Sequence, residues 1–348
     1  SIFKYKLRTS LNSFKDVLDW INNRNVSIKV NLKLTTLSKL NNWYYDEKTK
    51  SIHNHNNSFF SVKGIACESK NKIIRQPIII QPEIGYLGIA YTILNGVLYF
   101  LLQAKIEPGN VNIVQISPTI QATKSNFTRQ HGGALPPYFD FFANATSDDI
   151  LVDQIQSEQS SRFLNKRNRN IVVYADSKLD VLSSHKWITV GQLIELFKIP
   201  NLVNMDTRTV LSCLPLSCIK TNSSKLVNGL VSYSTIKNIF SYFADCKMNN
   251  KKAIKLCSPL EINGWQFDDW SIFCKSSYPF DVVFCDIEIE GREVKRWCQP
   301  LFRAKGKALF ALFYRVTSNE IEFLVSSREE IGNMDVHHKK PKSKRWNK

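Results

Sequence analysis

The sequence predicts an α+β protein built as two tandem copies of one module, and three patterns indicate this. Apolar runs on either side of Asn95-Gly96 predict a β-hairpin, because Asn-Gly between β-branched and aromatic residues favours a tight two-residue turn. Residues 11–22 have apolar positions at helical spacing and predict a packing helix. Gln299-Pro300 lies 223 residues after Gln76-Pro77 and begins a weakened second copy of the same passage.

The two copies correspond without a gap over much of that passage. Just upstream, at an offset one residue shorter, Trp43 corresponds to Trp265. A chain of 348 residues also exceeds the size at which one core usually stops growing. We therefore predict a first module over 1–221, a connection over 222–252 and a second, incomplete module over 253–348. The corresponding pairs are Phe100 and Phe323, Leu101 and Leu324, Lys105 and Arg328, Glu107 and Glu330, and Gly109-Asn110 and Gly332-Asn333.

Composition and local patterns narrow the class of protein. The apolar run over 84–104 approaches the length of a membrane span, but Asn95-Gly96 interrupts it, so we predict buried strands and no membrane segment. The start, SIFKYKLRTS, resembles no leader peptide, and we expect a trimmed or incomplete terminus on a cytoplasmic protein. Eight cysteines without a CxxC pair indicate reduced thiols.

A net charge of +17 raises the possibility of nucleic-acid binding. The basic residues are spread along the chain, and abundant Lys, Asn and Ile together indicate a coding bias, so we expect nucleic acid to be an unlikely partner. His53 and His55 could ligate a metal, but with no third ligand in view they are expected to be solvated loop residues. REEIG over 328–332 resembles part of the Nudix metal box, but the Gly and Glu expected upstream are out of place, so a metal-dependent pyrophosphatase is not favoured.

Four further segments have recognisable patterns. Residues 59–65 predict a strand, and 181–197 contain an amphipathic helix with the sequence WITVGQLIELFKI. Residues 154–170 are interpreted as the start of a helix that ends in a solvated basic cluster. The paired glycines and prolines after Asn126 predict an irregular loop, which is a common setting for functional residues.

A group of motifs together resembles one enzyme family, the NDP-hexose 2,3-dehydratases. The resemblance covers nearly the whole chain, apart from a shortened or altered C-terminus. It implies two Nudix-like α+β modules with mixed sheets and packed helices, a homodimer, and activity without a metal or other cofactor. The motifs are QPEIGYLG, QAKIEPGN, SPTIQATKSNFTRQHGG, SEQSSRFLNKRNRN, NMDTRTVLSCLP and REVKRWCQPL, in that order.

The resemblance also implies a reaction, in which water is eliminated across C2–C3 of dTDP-4-keto-6-deoxyglucose. A downstream NDP-hexose 3-ketoreductase would take up the product. Two alternatives remain open from the sequence: a protein that binds a nucleotide sugar without turnover and, more remotely, a basic nucleic-acid-binding protein.

Site residues are assigned by matching the family's motifs and by side-chain chemistry. The stretch TKSNF, which is Thr123, Lys124, Ser125, Asn126 and Phe127, matches the ligand-contacting stretch, although the family more usually has Arg and Tyr at the positions of Lys124 and Phe127. Ser161 matches a further ligand contact. Trp43 and Trp265 are expected to stack on the nucleotide or line the sugar site.

The acid and base candidates are Glu107, His131 and Tyr138. Because the second copy ends differently from the first, we expect the first copy to contain the working site. The second copy would mainly scaffold it and contribute Trp265. The basic tail over 337–348 has too few apolar residues to order itself, so we expect it to be disordered and dispensable.

Overall fold

Strands form most of the described fold, and several helices pack on one of the sheets. The computed structural model describes residues 11–56, 59–69, 72–129, 134–176, 179–215, 233–249, 253–290, 292, 294–316, 321–328, 330–333 and 338–341. The helices are α1 (Phe14–Ser27), α2 (Lys124–Phe127), α3 (Phe139–Ala143), α4 (Val190–Leu196), α5 (Met205–Ser212) and α6 (Tyr233–Met248). This composition confirms the α+β class.

The strands form four groups, which we name sheets A to D. Sheet A contains β1 (Val30–Thr35), β15 (Trp265–Phe267), β16 (Ser271–Cys274), β17 (Phe280–Ile289) and β18 (Arg296–Ala304). Sheet B contains β2 (Trp43–Asp46), β3 (Ser51–Asn54), β4 (Ser61–Ser69), β5 (Lys72–Ile80), β11 (Phe163–Leu164) and β14 (Ala253–Cys257). Sheet C contains β6 (Gly85–Leu94), β7 (Val97–Ile106), β8 (Val114–Ser117), β9 (Ile120–Ala122), β10 (Ile150–Ser157), β12 (Arg167–Tyr174) and β13 (His185–Thr189). Sheet D contains β19 (Phe313–Val316), β20 (Ile321–Arg328) and β21 (His338–Pro341).

Sheet C is built around the predicted hairpin, which the structure confirms. β6 and β7 pair with Leu94 opposite Val97, and Asn95 and Gly96 both have positive φ angles, of 50° and 75°. Positive φ at both turn residues is what a tight hairpin turn requires. β12 then joins β6 in parallel, with Asn168 opposite Gly85. This pairing brings two segments that are distant in sequence to the same sheet edge.

The predicted N-terminal helix is also confirmed, although it extends further, to Ser27. Ser13 and Asp16 form a capping box, which satisfies backbone N–H groups at the start of α1. Val17 and Ile21 are buried in a core cluster with residues of sheet C, α4 and α5, and with residues of β17 in sheet A. Helices α1, α4 and α5 therefore share one core with sheet C.

Sheets A and B have the same strand pattern and exchange one strand each. In sheet B, the long strand β4 pairs with β5 along one edge and with β3 and β14 along the other. In sheet A, β17 pairs with β18 along one edge and with β16 and β1 along the other. β1 thus comes from the first half of the chain but lies in sheet A, and β14 comes from the second half but lies in sheet B.

Two helix predictions need correction. Residues 154–170 do not begin a helix, because they form β10, the short strand β11 and the start of β12. The basic cluster is not a solvated face, since Lys166, Asn168 and Asn170 are 3%, 7% and 0% exposed. Polar residues at inward positions hide the alternation that identifies a strand. In 181–197 only the second part is helical: β13 comes first, and Thr189 then caps α4.

The predicted tail is ordered in part. His338–Pro341 forms β21 and pairs with Val325–Arg328 of β20, so the prediction of disorder is wrong for these residues. Residues 337 and 342–348 lie outside the described residues. Within the predicted connection over 222–252, the structure describes residues 233–249, most of which form helix α6.

Candidate active site

A cavity of about 430 Å³ opens between sheets B and C and strand β18. Its walls come from β5, β6, β7, β9 and β18, the segments on either side of β11, and the starts of α2 and α5. A concave site in which a few polar groups converge on apolar walls is the usual form of a small-molecule binding site.

Glu107 is held by two cations at one side of this cavity. Its Oε1 lies 3.2 Å from Lys105 Nζ and 2.9 Å from Arg292 Nη1. Lys105 is buried at the end of β7 and also donates to the carbonyl oxygen of Gln121. Burial raises the pKa of Glu107, but the two cations outweigh burial and lower this pKa to about 2. Glu107 is therefore ionised at any working pH.

A second polar group lies between β10 and β12. The Glu158 carboxylate accepts a hydrogen bond of 2.7 Å from Asn168 Nδ2. Lys166 donates to the backbone carbonyl of Glu83, also at 2.7 Å. Burial lowers the pKa of Lys166, while the nearby carboxylates of Glu158 and Glu83 act in the opposite direction. This side of the cavity therefore offers an amine and an amide beside a carboxylate.

Asp206, in the first turn of α5, is the third carboxyl group on the described cavity wall. Burial raises its pKa, the carboxylates of Glu158 and Glu107 raise it further, and Lys105 opposes them, so that the pKa reaches about 7. Near neutral pH this group can therefore accept or donate a proton. A free aspartate and Glu107 are both ionised at that pH, so they are poorer proton donors.

Aromatic and apolar side chains form another part of the cavity wall. Phe59 and Phe60 come from the segment before β4, Phe163 from β11, and Pro300 and Phe302 from β18. Flat apolar surfaces of this kind suit a sugar face or a nucleobase.

Part of the predicted TKSNF stretch lies in the cavity wall. Thr123, Ser125 and Asn126 line it, and the Thr123 and Ser125 hydroxyl oxygens are 2.9 Å apart. The Lys124 side chain is exposed and does not line the cavity. Phe127 packs instead on Phe139, with their rings stacked at 4.9 Å. The stretch thus presents three of its five side chains to the cavity, and those of Lys124 and Phe127 point elsewhere.

The other predicted residues are more dispersed. Ser161 does not line the cavity, and its carbonyl accepts a hydrogen bond of 2.8 Å from Gln76 Nε2. The Tyr138 hydroxyl donates to the Asp180 carbonyl at 2.8 Å and accepts from the Leu182 amide, away from the cavity. His131 lies outside the described residues.

Trp43 and Trp265 are buried in one core cluster and do not line the cavity. The Trp43 ring contacts Phe60, with centroids 4.9 Å apart, and Phe59 at 6.0 Å. Trp265 packs on Tyr278 and Phe280. Trp43 therefore supports the aromatic wall from behind.

Several cavity residues had no predicted site role, although each lies in a motif that carried the family resemblance. Asp206 lies in NMDTRTVLSCLP, and both Glu158 and Lys166 lie in SEQSSRFLNKRNRN. Lys105 lies in QAKIEPGN, and Arg292 is the first residue of REVKRWCQPL. The sequence signal that could have identified these residues is a charged side chain that lies inside a family motif and next to the end of a strand.

These features define an α+β protein whose candidate ligand site is a polar cavity with an aromatic wall. The family model for NDP-hexose 2,3-dehydratase matches residues 14–214 and 236–341. The chain belongs to this family.

Curated relatives agree with the family model. A protein of Saccharopolyspora spinosa, described as dTDP-4-dehydro-6-deoxy-alpha-D-glucopyranose 2,3-dehydratase, is 35% identical over 311 residues, which cover 84% of this chain and 64% of the relative. Proteins with the same description from Streptomyces violaceoruber and Amycolatopsis orientalis are 34% and 30% identical, over 91% and 92% of this chain and 73% and 68% of their own lengths. The chain thus spans somewhat less than two thirds of the first of these relatives.

Two kinds of feature are absent from the described residues. No described helix is both long and apolar enough to span a membrane. In the described part of the chain, no group of three or more His, Cys, Asp or Glu side chains is placed to hold a metal ion.

Proposed function

We propose that this protein is a lyase that removes water across C2–C3 of dTDP-4-keto-6-deoxy-D-glucose, giving a dTDP-3,4-diketo-2,6-dideoxy sugar. Membership of the family and the descriptions of three relatives support the reaction. The observation that carries the proposal is the convergence of carboxyl groups, amines and hydroxyls in one cavity beside an aromatic wall.

The chemistry sets clear demands on such a site. A C4 ketone acidifies the C3 hydrogen, so a base can remove it and form an enolate. The enolate expels the C2 hydroxyl with help from an acid, and the resulting enol tautomerises to the diketone. The site therefore needs a proton-transfer group with a pKa near the working pH, donors toward the C4 oxyanion and anchors for the diphosphate.

The cavity residues can meet these demands in different ways. Lys105, Arg292 and Lys166 provide cations for phosphate oxygens or for a developing oxyanion. Thr123 and Asn126 provide donors for sugar oxygens. Thus the positive side chains and the TKSNF stretch bind the substrate in this proposal.

The three acid and base candidates from the sequence have different standings in this proposal. Glu107 has a pKa of about 2, so its role in the proposal is to hold Lys105 and Arg292 in place, not to act as an acid. Burial raises the pKa of Tyr138, whose hydroxyl is already hydrogen-bonded to Asp180 and Leu182. The roles of His131 and Tyr138, and the ligand contacts of Lys124, Phe127, Ser161, Trp43 and Trp265, stay predictions.

We also propose that sheets A and B descend from a duplicated, Nudix-like unit. Their matching strand patterns and the exchange of β1 and β14 support this origin. Modules over 1–221 and 253–348 with a connection over 222–252 remain part of the proposal, as do a homodimer, a cytoplasmic location and a downstream 3-ketoreductase. Activity without an added cofactor is a further expectation.

Mass spectrometry tests the activity directly. The purified protein is incubated with dTDP-4-keto-6-deoxyglucose and a trapping 3-ketoreductase, with a reaction lacking the protein as the control. We expect a trapped product that has lost one water. Unchanged substrate would contradict the proposal, and saturable binding of that unchanged substrate would identify a nucleotide-sugar-binding protein instead.

A further inference from the structure

Asp206 differs from the other carboxyl groups on the described cavity wall. Glu107 is paired with Lys105 and Arg292, and Glu158 is bonded to Asn168. Within the described residues, the Asp206 carboxyl has no hydrogen bond or ion pair to a neighbouring side chain or amide, although it lines the cavity. A carboxyl group in that position is free to contact a substrate.

The turn that holds Asp206 is fixed to sheet C. Asn204 caps α5 by accepting from the Thr207 amide at 2.8 Å, and its Nδ2 donates to Ser117 Oγ at 2.9 Å and to Gln121 Oε1 at 3.1 Å. The Thr207 hydroxyl donates to the carbonyl of Ile116 at 3.0 Å. Because Asp206 lies between two anchored residues, its backbone is fixed, which limits where its short side chain can place the carboxyl, as a catalytic group requires.

Three charged groups from two other segments face Asp206. Glu158 follows β10, Glu107 follows β7, and Lys105 lies within β7. Together with burial, the two carboxylates favour its neutral form over its ionised form, and Lys105 works against them. Both forms of Asp206 are consequently populated near neutral pH.

We infer that Asp206 is a catalytic residue that carries both protons of the elimination, taking one from C3 and delivering one to the departing C2 hydroxyl. This inference rests on the proposed function. In a gluco-configured ring the C3 hydrogen and the C2 hydroxyl lie on the same face. One carboxyl group placed against that face can therefore reach both.

The protons and electrons balance over the two steps. Ionised Asp206 takes the C3 proton, and the C3–H electron pair forms the enolate of the C4 ketone. The enolate then re-forms the ketone and a C2–C3 double bond, while the C2–O bond breaks. The proton on Asp206 passes to that oxygen, water leaves and the carboxylate is regenerated without a redox partner.

Asp206→Asn tests the shared role because it keeps the size of the side chain and removes the proton-transfer group. We expect kcat to fall by about 100- to 10,000-fold, the usual contribution of a general acid or base. Calorimetric affinity for dTDP should stay within about twofold of the wild-type value, since anchoring groups remain. Glu195→Gln, on the exposed face of α4 in the pair with Lys198, is the matched control and should retain full activity.

Hydrogen exchange at C3 in deuterated water distinguishes removal of the C3 proton from proton delivery to the departing hydroxyl. Asp206→Asn should lose this exchange together with water loss, and Asp206→Glu should regain part of both. Persistent C3 exchange without water loss would overturn the shared role, because another group would then be the base. Full activity of Asp206→Asn would overturn any role, whereas a wild-type protein that releases no water would instead contradict the proposed function.

A pH profile provides a readout that does not depend on the Asn variant. Catalysis begins with ionised Asp206, so wild-type kcat/KM should rise with pH through about 7. Glu158→Gln removes a carboxylate that raises this pKa and should move the rise to lower pH. A profile that is flat from pH 6 to 8, or a rise that does not move in Glu158→Gln, would contradict the inference.

Discussion

The indole nitrogen of Trp43 donates a hydrogen bond of 2.6 Å to the backbone carbonyl of Cys298. An equivalent bond occurs with the two copies exchanged: Trp265 Nε1 donates to the carbonyl of Arg75 at 2.9 Å. Cys298 follows Arg75 by the repeat distance of 223 residues. Trp43 of β2 is thus bonded to β18, and Trp265 of β15 to the corresponding strand β5, which fits a pseudo-twofold relation between sheets A and B.

Replacing either tryptophan by phenylalanine should therefore reduce stability more than ligand binding. Trp43→Phe and Trp265→Phe each lose a donor to a carbonyl and part of a buried ring, at a cost of about 1–3 kcal/mol each. Urea unfolding measures this cost, and calorimetry with dTDP measures affinity. A large loss of affinity with unchanged unfolding would instead support the sequence-based prediction that these rings stack on the nucleotide.

Lys105 and Lys124 give opposite expectations for nucleotide-sugar binding. Lys105→Met removes a cation from the cavity wall and should weaken binding of the dTDP sugar by about 10- to 100-fold. Lys124→Ala, two residues from the lining residue Asn126, serves as the control and should change affinity by no more than about twofold because its side chain is exposed. The reverse order in a calorimetric titration would place the diphosphate at Lys124.

Gly85→Ala should disturb the cavity through Asn168. A Cβ atom at residue 85 would lie 2.5 Å from Asn168 Oδ1, which is closer than such atoms approach. Asn168 would have to move and release its hydrogen bond to Glu158, so both stability and kcat should fall. In the double variant Gly85→Ala, Asn168→Ala, the clash is relieved, and the unfolding free-energy losses should be less than additive. Strict additivity would show that the two residues do not interact.

His185 should make the fold sensitive to acid. Burial, with help from Lys105 and Arg24, lowers its pKa to about 4, although its hydrogen bond to the Thr119 carbonyl acts in the opposite direction. The folded pKa is below the unfolded value of about 6.5, so this stabilisation is complete above pH 6.5 and is lost as pH falls toward 4. The loss amounts to about 3 kcal/mol.

Urea unfolding at pH 7.5 and 4.5 measures this effect. His185→Gln cannot titrate and should lose less stability between the two pH values than the wild-type protein. His55→Gln changes an exposed ring and should behave like the wild type. An identical pH dependence of all three proteins would rule His185 out as the source.

Local patterns were enough to predict some elements of this fold but not the cavity. The Asn95-Gly96 hairpin and α1 depend on neighbouring residues, and the sequence predicted both correctly. Lys166 and Asn168 looked solvated because their burial depends on β6 and Glu83, far away in the chain. Asp206 likewise has a raised pKa because it is buried and, further, because Glu158 and Glu107 lie near it, and no local pattern contains this environment.

The pairing of β1 with β17 constrains when the protein can fold during its synthesis. Val30 lies opposite Ile289, so the ribosome must add more than half of the chain after β1 has emerged before its partner is available. At ordinary translation rates that interval is roughly 13–50 s. During it, the exposed backbone edge of β1 can pair with a neighbouring nascent chain, which makes this strand the natural point of contact for a chaperone.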